Sequence, residues 1–383
     1  MRKVLAIITV LLYQFGIGSG LVSDRKQTQY LGNPSESSYS ARQVVSKMPW
    51  DMIIDDGILY IGGGDYNDNT GPVDIHCMDL STSQWSVSGT LNDEAIGKFI
   101  RIGSKIYAPG FDAKGAKSTG NYYWLENGQW KQNSNLPEAA HNYDIIEYDG
   151  KLMFAIGTWN NTVSPVQATE DQGNSFYDIP FYKNQINITE TNEFDYMRVY
   201  DFFETDNGLY CLFLSVTDGK AKHYEFYHYD NGAFHFIATH LDNGIQIKAL
   251  KQEPIASEIY YRGKCYIAAY MLSRTEDFQN VEHITLPRNE IAVDLLTDED
   301  RLYVLCAQTL EKSCIVRVYT YVYNSFFYPV LSFESENLPI SFAKNENTFY
   351  IGIGRHGYNE QATGSIITVS VPELTMKLIK DCL

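Results

Sequence analysis

Four aspartates recur in register along this chain. Asp51, Asp144, Asp201 and Asp294 each stand eight residues before a short apolar pair, and the matching positions elsewhere hold Lys98, Ser257 and Ser341. A ring of carboxylates with one lysine opposite suits hydrogen bonding to sugar hydroxyls or the holding of a cation. Where two acids face each other across a pocket it also suits acid-base or nucleophilic cleavage, and Asp51 and Asp144 are the first candidates for that pair. The competing expectation is structural, with each Asp capping the connection into its element by accepting from nearby backbone N–H groups.

A second set of chemistry-bearing residues lies in glycine-bounded loops: Gly62 to Gly71, Gly110 to Gly120, Gly157 to Ser164 and Gly354 to Gly364. They carry Asp65, Tyr66, Asp112, Lys114, Trp159, Arg355, His356 and Tyr358, with His141 close by in register. Aromatic planes beside carboxylates and amides make a platform for a sugar ring, although hairpin tips also collect such residues without function. Asp65, Asn67 and Asn69 alternate as oxygen ligands do in calcium loops, but no bidentate acid follows, and an Asn/Asp-rich turn is the alternative. The remaining histidines are dispersed, so no histidine metal centre and no cofactor is expected.

The elements that must position these groups form a repeat array. The pairs Leu59-Tyr60, Ile106-Tyr107, Leu152-Met153, Leu209-Tyr210, Cys265-Tyr266, Leu302-Tyr303 and Phe349-Tyr350 follow tight turns, at separations of 47, 46, 57, 56, 37 and 47 residues. Such periods mark units that must stack to bury a core. With 14% aromatic residues and few helical patterns, the expected fold is all-β: a single seven-bladed β-propeller of four-stranded antiparallel blades over residues 49–383. In that ring the long loops belong to blades 7, 1, 2 and 3, on the face where the inner strands begin. The last blade is expected to own its outer strands, Ser365 to Val371 and Leu374 to Ile379, leaving residues 21–48 as a polar lead-in.

Ile58-Leu59-Tyr60-Ile61-Gly62-Gly63, with His76-Cys77-Met78-Asp79-Leu80 and Trp85, resembles the kelch repeat. A weaker copy spans Ile106-Tyr107, Gly110, Tyr122-Tyr123 and Trp130. Thr169-Glu170-Asp171-Gln172-Gly173-Asn174-Ser175-Phe176 resembles the Asp-box hairpin of sialidase-type propellers, and Thr275-Glu276-Asp277-Phe278 is a looser copy. The Asp-box resemblance implies structural turns away from an active site, and the sialidase arginine triad is not recognisable. The kelch resemblance also brings to view the galactose oxidase copper site, for which no convergent Tyr/His/Cys pattern can be placed.

Arg2, Lys3, the apolar run from Val4 to Leu12 and the Gly/Ser stretch to Gly20 form the pattern of a secretory signal peptide over residues 1–20. The expected product is secreted or extracytoplasmic, monomeric, and without a membrane span once the signal is removed. A formal charge of -17 with no Lys/Arg cluster argues against nucleic acid or anionic membrane as partner. Disulfide candidates are Cys306 with Cys314 across a turn and Cys77 with Cys382 closing the ring, free buried thiols being the alternative. Asn160 and Asn187 head glycosylation sequons. These readings converge on an extracellular binding propeller for a glycan or a protein. The alternative is a sialidase-like glycoside hydrolase using the axial carboxylates.

Overall fold

The computed structural model describes residues 28–114, 119–158, 162–191, 194–219, 221–247, 255, 257–298, 301–322, 326–354, 360–372 and 376. The leader expected at 1–20 lies outside the described residues. Alternating apolar and polar residues broken by Asp-Gly and Asn-Gly dipeptides give a succession of short antiparallel strands. At Asp56-Gly57 and Asp149-Gly150 both residues are left-handed, with φ of 45° and 74°, and of 52° and 71°. That backbone makes the tight hairpin whose twist matches its flanking strands.

The fold is an all-β propeller, but the expectation of seven separate four-stranded blades is corrected. Five four-stranded sheets stand as discrete blades. In chain order their inner strands are Asp51–Asp55, Ile100–Ile102, Ser257–Tyr261, Ile291–Asp298 and Pro339–Asn345. A twelve-stranded sheet takes in Asp93–Ala95, Phe111–Ala113 and the strands between the second and third of these blades, and two of the seven sequence markers, Leu152-Met153 and Leu209-Tyr210, both fall inside it. The fusion has identifiable causes. After the strand Lys105–Pro109 the loop stays extended as Phe111–Ala113, which pairs on one side with Asp93–Ala95 and on the other, at His141, with the strand Ala139–Tyr148. Gly157, at the end of Lys151–Thr158, then pairs with Arg198 of Tyr196–Thr205. A Cβ at Gly157 would stand 3.0 Å from the Tyr143 ring and 3.4 Å from the Arg198 stem, so glycine is what permits this approach.

The repeat markers sit in the second strand of each hairpin and supply core: Leu59, Leu209, Leu302 and Phe349 are fully buried, as is Met153. The last blade takes its outer strand from the start of the described chain. Thr28–Gly32 pairs with Ile366–Ser370, through Thr28 with Val369 and Tyr30 with Ile367. The Trp85 indole N–H donates to Leu31 O at 2.8 Å. This replaces the expected pairing of Ser365 to Val371 with Leu374 to Ile379; of the latter stretch only Met376 is described. The edge is thus closed by a strand distant in sequence, which covers backbone groups that would otherwise stand open.

The Cys306–Cys314 pairing is also corrected, because the register places Cys306 opposite Arg317 and Cys314 opposite Thr309. The Cys314 thiol instead donates to Asn337 O at 3.0 Å. Cys77 is free, its sulfur 3.1 Å from Ser86 Oγ, and Cys382 lies outside the described residues. No helix among the described residues is long and apolar enough to cross a membrane.

Candidate functional site

The aspartate column lines the axis of the propeller, where a cavity of about 210 Å³ is bounded by Asp51, Lys98, Ser257, Glu258 and Asp294 among others. Its acids are already engaged. Asp51 accepts from its neighbour Met52 N–H at 2.8 Å and from Phe99 N–H of the next element at 2.6 Å. Asp144 repeats the arrangement with Ile145 at 2.9 Å and Phe202 at 2.8 Å, and Asp294 with Leu295 at 3.1 Å and Phe342 at 3.0 Å. Each carboxylate therefore ties the inner strand of one element to the next. Ser341 does the same with its hydroxyl, donating to Pro49 O at 2.5 Å. Both oxygens of Asp51 and of Asp144 are held by backbone amides, which is the geometry of the structural expectation.

Lys98 supplies the counter-charge. Its ammonium lies 3.1 Å from Asp144 and 3.6 Å from Asp201 and is hydrogen-bonded to Glu258. Asp144, Asp201 and Glu258 are close enough together to hold a cation, and Lys98 already stands as one. Glu258 was not singled out from the sequence; it follows Ser257, the repeat equivalent of the aspartates.

The second constellation lies on the face where the inner strands begin, at the fusion points of the large sheet. Tyr66, Phe111, Asp112 and His141 meet there. The Tyr66 and His141 rings are 5.1 Å apart, Phe111 and His141 6.1 Å, and His141 stacks on Tyr143 at 5.2 Å. The ladder continues from Tyr143 to Tyr200 at 4.5 Å and from Tyr200 to Tyr224 at 6.4 Å. Arg198 enters this aromatic wall, its Nη1 donating to Tyr143 Oη at 2.8 Å and its guanidinium lying 4.9 Å from the Tyr196 ring centroid.

The charge states follow from burial. His141 is only 6% exposed, and burial together with the neighbouring Arg198 charge pulls its pKa down to about 3, so the imidazole is neutral at ordinary pH. Its Nδ1 is 3.9 Å from Asp112, beyond hydrogen-bond reach. Burial and the nearby Glu94 raise Asp112 to about 6 against the opposing pull of Arg198 and Lys114. Lys114 binds Glu94 at 2.7 Å and Asn69 O at 3.3 Å, tying the two loops together. Beneath them Asp93 is wholly buried.

The other expected site residues divide as follows. Asp65 is buried and accepts from Asn67 N–H at 2.9 Å, while Asn69 is left-handed with φ 52°. This is turn geometry, in which the Asp65 carboxylate stabilises the loop that carries Tyr66. Trp159, Arg355, His356 and Tyr358 lie outside the described residues, as does Asn160. Asn187 opens a short 3₁₀ turn and accepts from Thr189 Oγ1 at 2.7 Å. Sequence reasoning missed Arg198, yet a signal existed. Three residues before each member of the aspartate column stand Met48, Ala95, His141, Arg198, Pro254, Ile291 and Leu338, so a neutral and apolar column is broken only by the two residues of this site.

No protein-family model matches the chain, and no curated protein is detectably similar in sequence. Solved structures share its shape and so define its class as a β-propeller. Virginiamycin B lyase from Staphylococcus aureus superposes with a TM-score of 0.51 at 11% identity, over 90% of this chain and 99% of that one. PorZ, a bacterial surface component of the type-IX secretion system of Porphyromonas gingivalis, gives a TM-score of 0.50 at 10% identity, over 84% of this chain and 46% of that one. At such identities the likeness concerns the fold alone.

Proposed function

We propose that this chain is an extracellular binding propeller that recognises a glycan on the face formed by Tyr66, Asp112, His141 and Arg198. The observation that carries the reading is the convergence of a neutral, buried imidazole, a half-buried tyrosine ring, a carboxylate and a guanidinium at the points where the large sheet is fused. Rings give a sugar its apolar contact, and carboxylate and guanidinium groups fit its hydroxyls and charged substituents. The engagement of Asp51 and Asp144 by backbone amides favours binding over hydrolysis. A leader at residues 1–20 would deliver the protein out of the cytosol. The hairpin in which Asp171 accepts from Ser175 N–H at 2.9 Å and Thr169 Oγ1 at 2.7 Å supports the Asp-box comparison as a structural one.

The test is retention and product release on an array of neutral and acidic glycans, with Tyr66→Ala and His141→Gln as variants. The expected result is retention without product, weakened roughly ten-fold or more in each variant, the scale of losing one stacking or hydrogen-bonding group. Product release, or retention indifferent to both substitutions, would overturn the reading.

A further inference from the structure

Arg198 is a permanent charge in an aromatic setting. Within ion-pair distance it meets no carboxylate among the described residues; its Nη1 donates to the Tyr143 hydroxyl, the guanidinium is also hydrogen-bonded to Tyr200, and its Nε is buried without a hydrogen-bond partner. A few residues away across the same wall, the Nδ1 of His141 is likewise buried and without a hydrogen-bond partner. Leaving a guanidinium N–H and a ring nitrogen buried without partners is costly, and proteins accept that cost chiefly where something else completes the site. The site is also built to keep Arg198 in place, since Gly157 leaves room for its stem and Gly157 and Arg198 are paired across the fused strands.

We infer that Arg198 anchors a carboxylate of the bound ligand, so that the glycan recognised on this face is an acidic one carrying a uronate-type carboxyl group. The inference rests on the glycan-binding reading above. A carboxylate matches a guanidinium in two parallel hydrogen bonds and brings a single charge. A doubly charged phosphate or sulfate-rich ligand suits the site less, because Asp112 stands beside Arg198 and Glu94 beside Asp112, leaving a positive excess of no more than one charge. Lys114 is already spent on Glu94. The neutral His141 ring contributes a hydrogen-bonding nitrogen and a face, not a charge.

The experiment titrates the whole protein with a β-glucuronide, the matching β-glucoside and acetyl-glutamate amide, followed by calorimetry or saturation-transfer NMR. The glucuronide should bind roughly ten-fold or more tightly than the glucoside, the margin of a charge-assisted pair. Arg198→Met should erase that preference, Arg198→Lys should restore part of it, and Asp112→Asn should strengthen it. Arg198→Lys keeps charge and stem, so it separates a lost anchor from a lost fold, with circular dichroism as the control. If glucuronide and glucoside bind equally, or if Arg198→Met keeps the preference, the carboxylate anchor is refuted while glycan binding stands. If acetyl-glutamate amide binds and neither sugar does, the glycan reading itself fails. Binding of none of the three removes both.

Discussion

Asp93 offers a quantitative test of how the core beneath the candidate site is built. It is 0% exposed, and its two donors, the Tyr123 hydroxyl and Asn121 Nδ2, both converge on Oδ2. Oδ1 has no hydrogen-bond partner among the described residues and is pressed toward Gly110, where a Cβ would stand 2.6 Å away. Burial raises the Asp93 pKa from 3.8 to about 7, with Asp112 and Glu94 adding to the rise and the two hydrogen bonds opposing it. The native state thus binds a proton that the unfolded chain releases. Stability on this account is full below about pH 4 and is lost as pH rises through about 7, at about 1.4 kcal/mol per pH unit in between. The whole shift corresponds to about 4 kcal/mol as an upper bound, and to roughly 2 kcal/mol between pH 5 and pH 7.

Asp93→Asn should remove that slope. The amide oxygen can take both donors in the place of Oδ2, and the NH₂ occupies the position of the protonated oxygen, so the variant mimics the protonated acid at every pH. Urea unfolding followed by tryptophan fluorescence from about pH 5 to pH 8, on wild type and variant, reads the difference directly. Asp112, raised to about 6, contributes a slope of the same sign, and Asp112→Asn removes it separately. Its carboxylate is 24% exposed, so its share is the smaller. On this account Asp93→Asn should be close to wild type in stability near pH 5 and more stable than wild type near pH 8, the gap widening as pH rises through about 7. Equal slopes in wild type and Asp93→Asn would mean that Asp93 is ionised in the native protein, and the account of this core would fail.

The remaining predictions concern the ties and the closure. Asp144→Asn places an amide N–H against the Phe202 or Ile145 N–H and weakens the Lys98 cluster; it should cost roughly 2–3 kcal/mol in urea unfolding and leave glycan retention unchanged, whereas lost retention at full stability would return Asp144 to the binding machinery. Deleting Thr28 to Gly32 exposes the edge of Ile366–Ser370, and should lower the thermal midpoint and promote association detected by light scattering; an unchanged midpoint would mean that the ring closes without that strand. Gly157→Val drives a side chain into Tyr143 and Arg198, and should abolish glycan retention at a smaller cost in stability than Asp144→Asn, a prediction that retention at the wild-type level would refute.

How much of this was legible in the residues varies with the range of the interaction. The hairpins were legible because Asp56-Gly57 and its equivalents encode their own backbone conformation, and the buried markers because a half-buried strand writes its pattern locally. The number of separate sheets was not, because a marker counts hairpins and says nothing about whether neighbouring hairpins bond to each other. That depends on contacts such as Phe111 with His141 and Gly157 with Arg198, which join residues from different repeats. The strand Thr28–Gly32 was read as lead-in for the same reason: its partner is more than three hundred residues away. The role of the aspartate column was undecided because type and spacing are the same for a ligand-binding ring and for a set of interstrand ties. Only the position of the Phe99, Phe202 and Phe342 amides distinguishes them.

The departure from separate blades and the candidate site are one feature. In a discrete blade the inner strand begins with its flanks open to the neighbouring groove, and residues there are free to be apolar filler, as Ile291 and Leu338 are. Where the strands run together, the backbone groups that would face solvent at this end are paired, and the side chains at the fusion, Asp112, His141 and Arg198, are held by strands instead of by loops. Sites on paired strands keep their geometry better than sites on hairpin tips. The nitrogens of His141 and Arg198 without hydrogen-bond partners are therefore held by paired strands and not by hairpin tips.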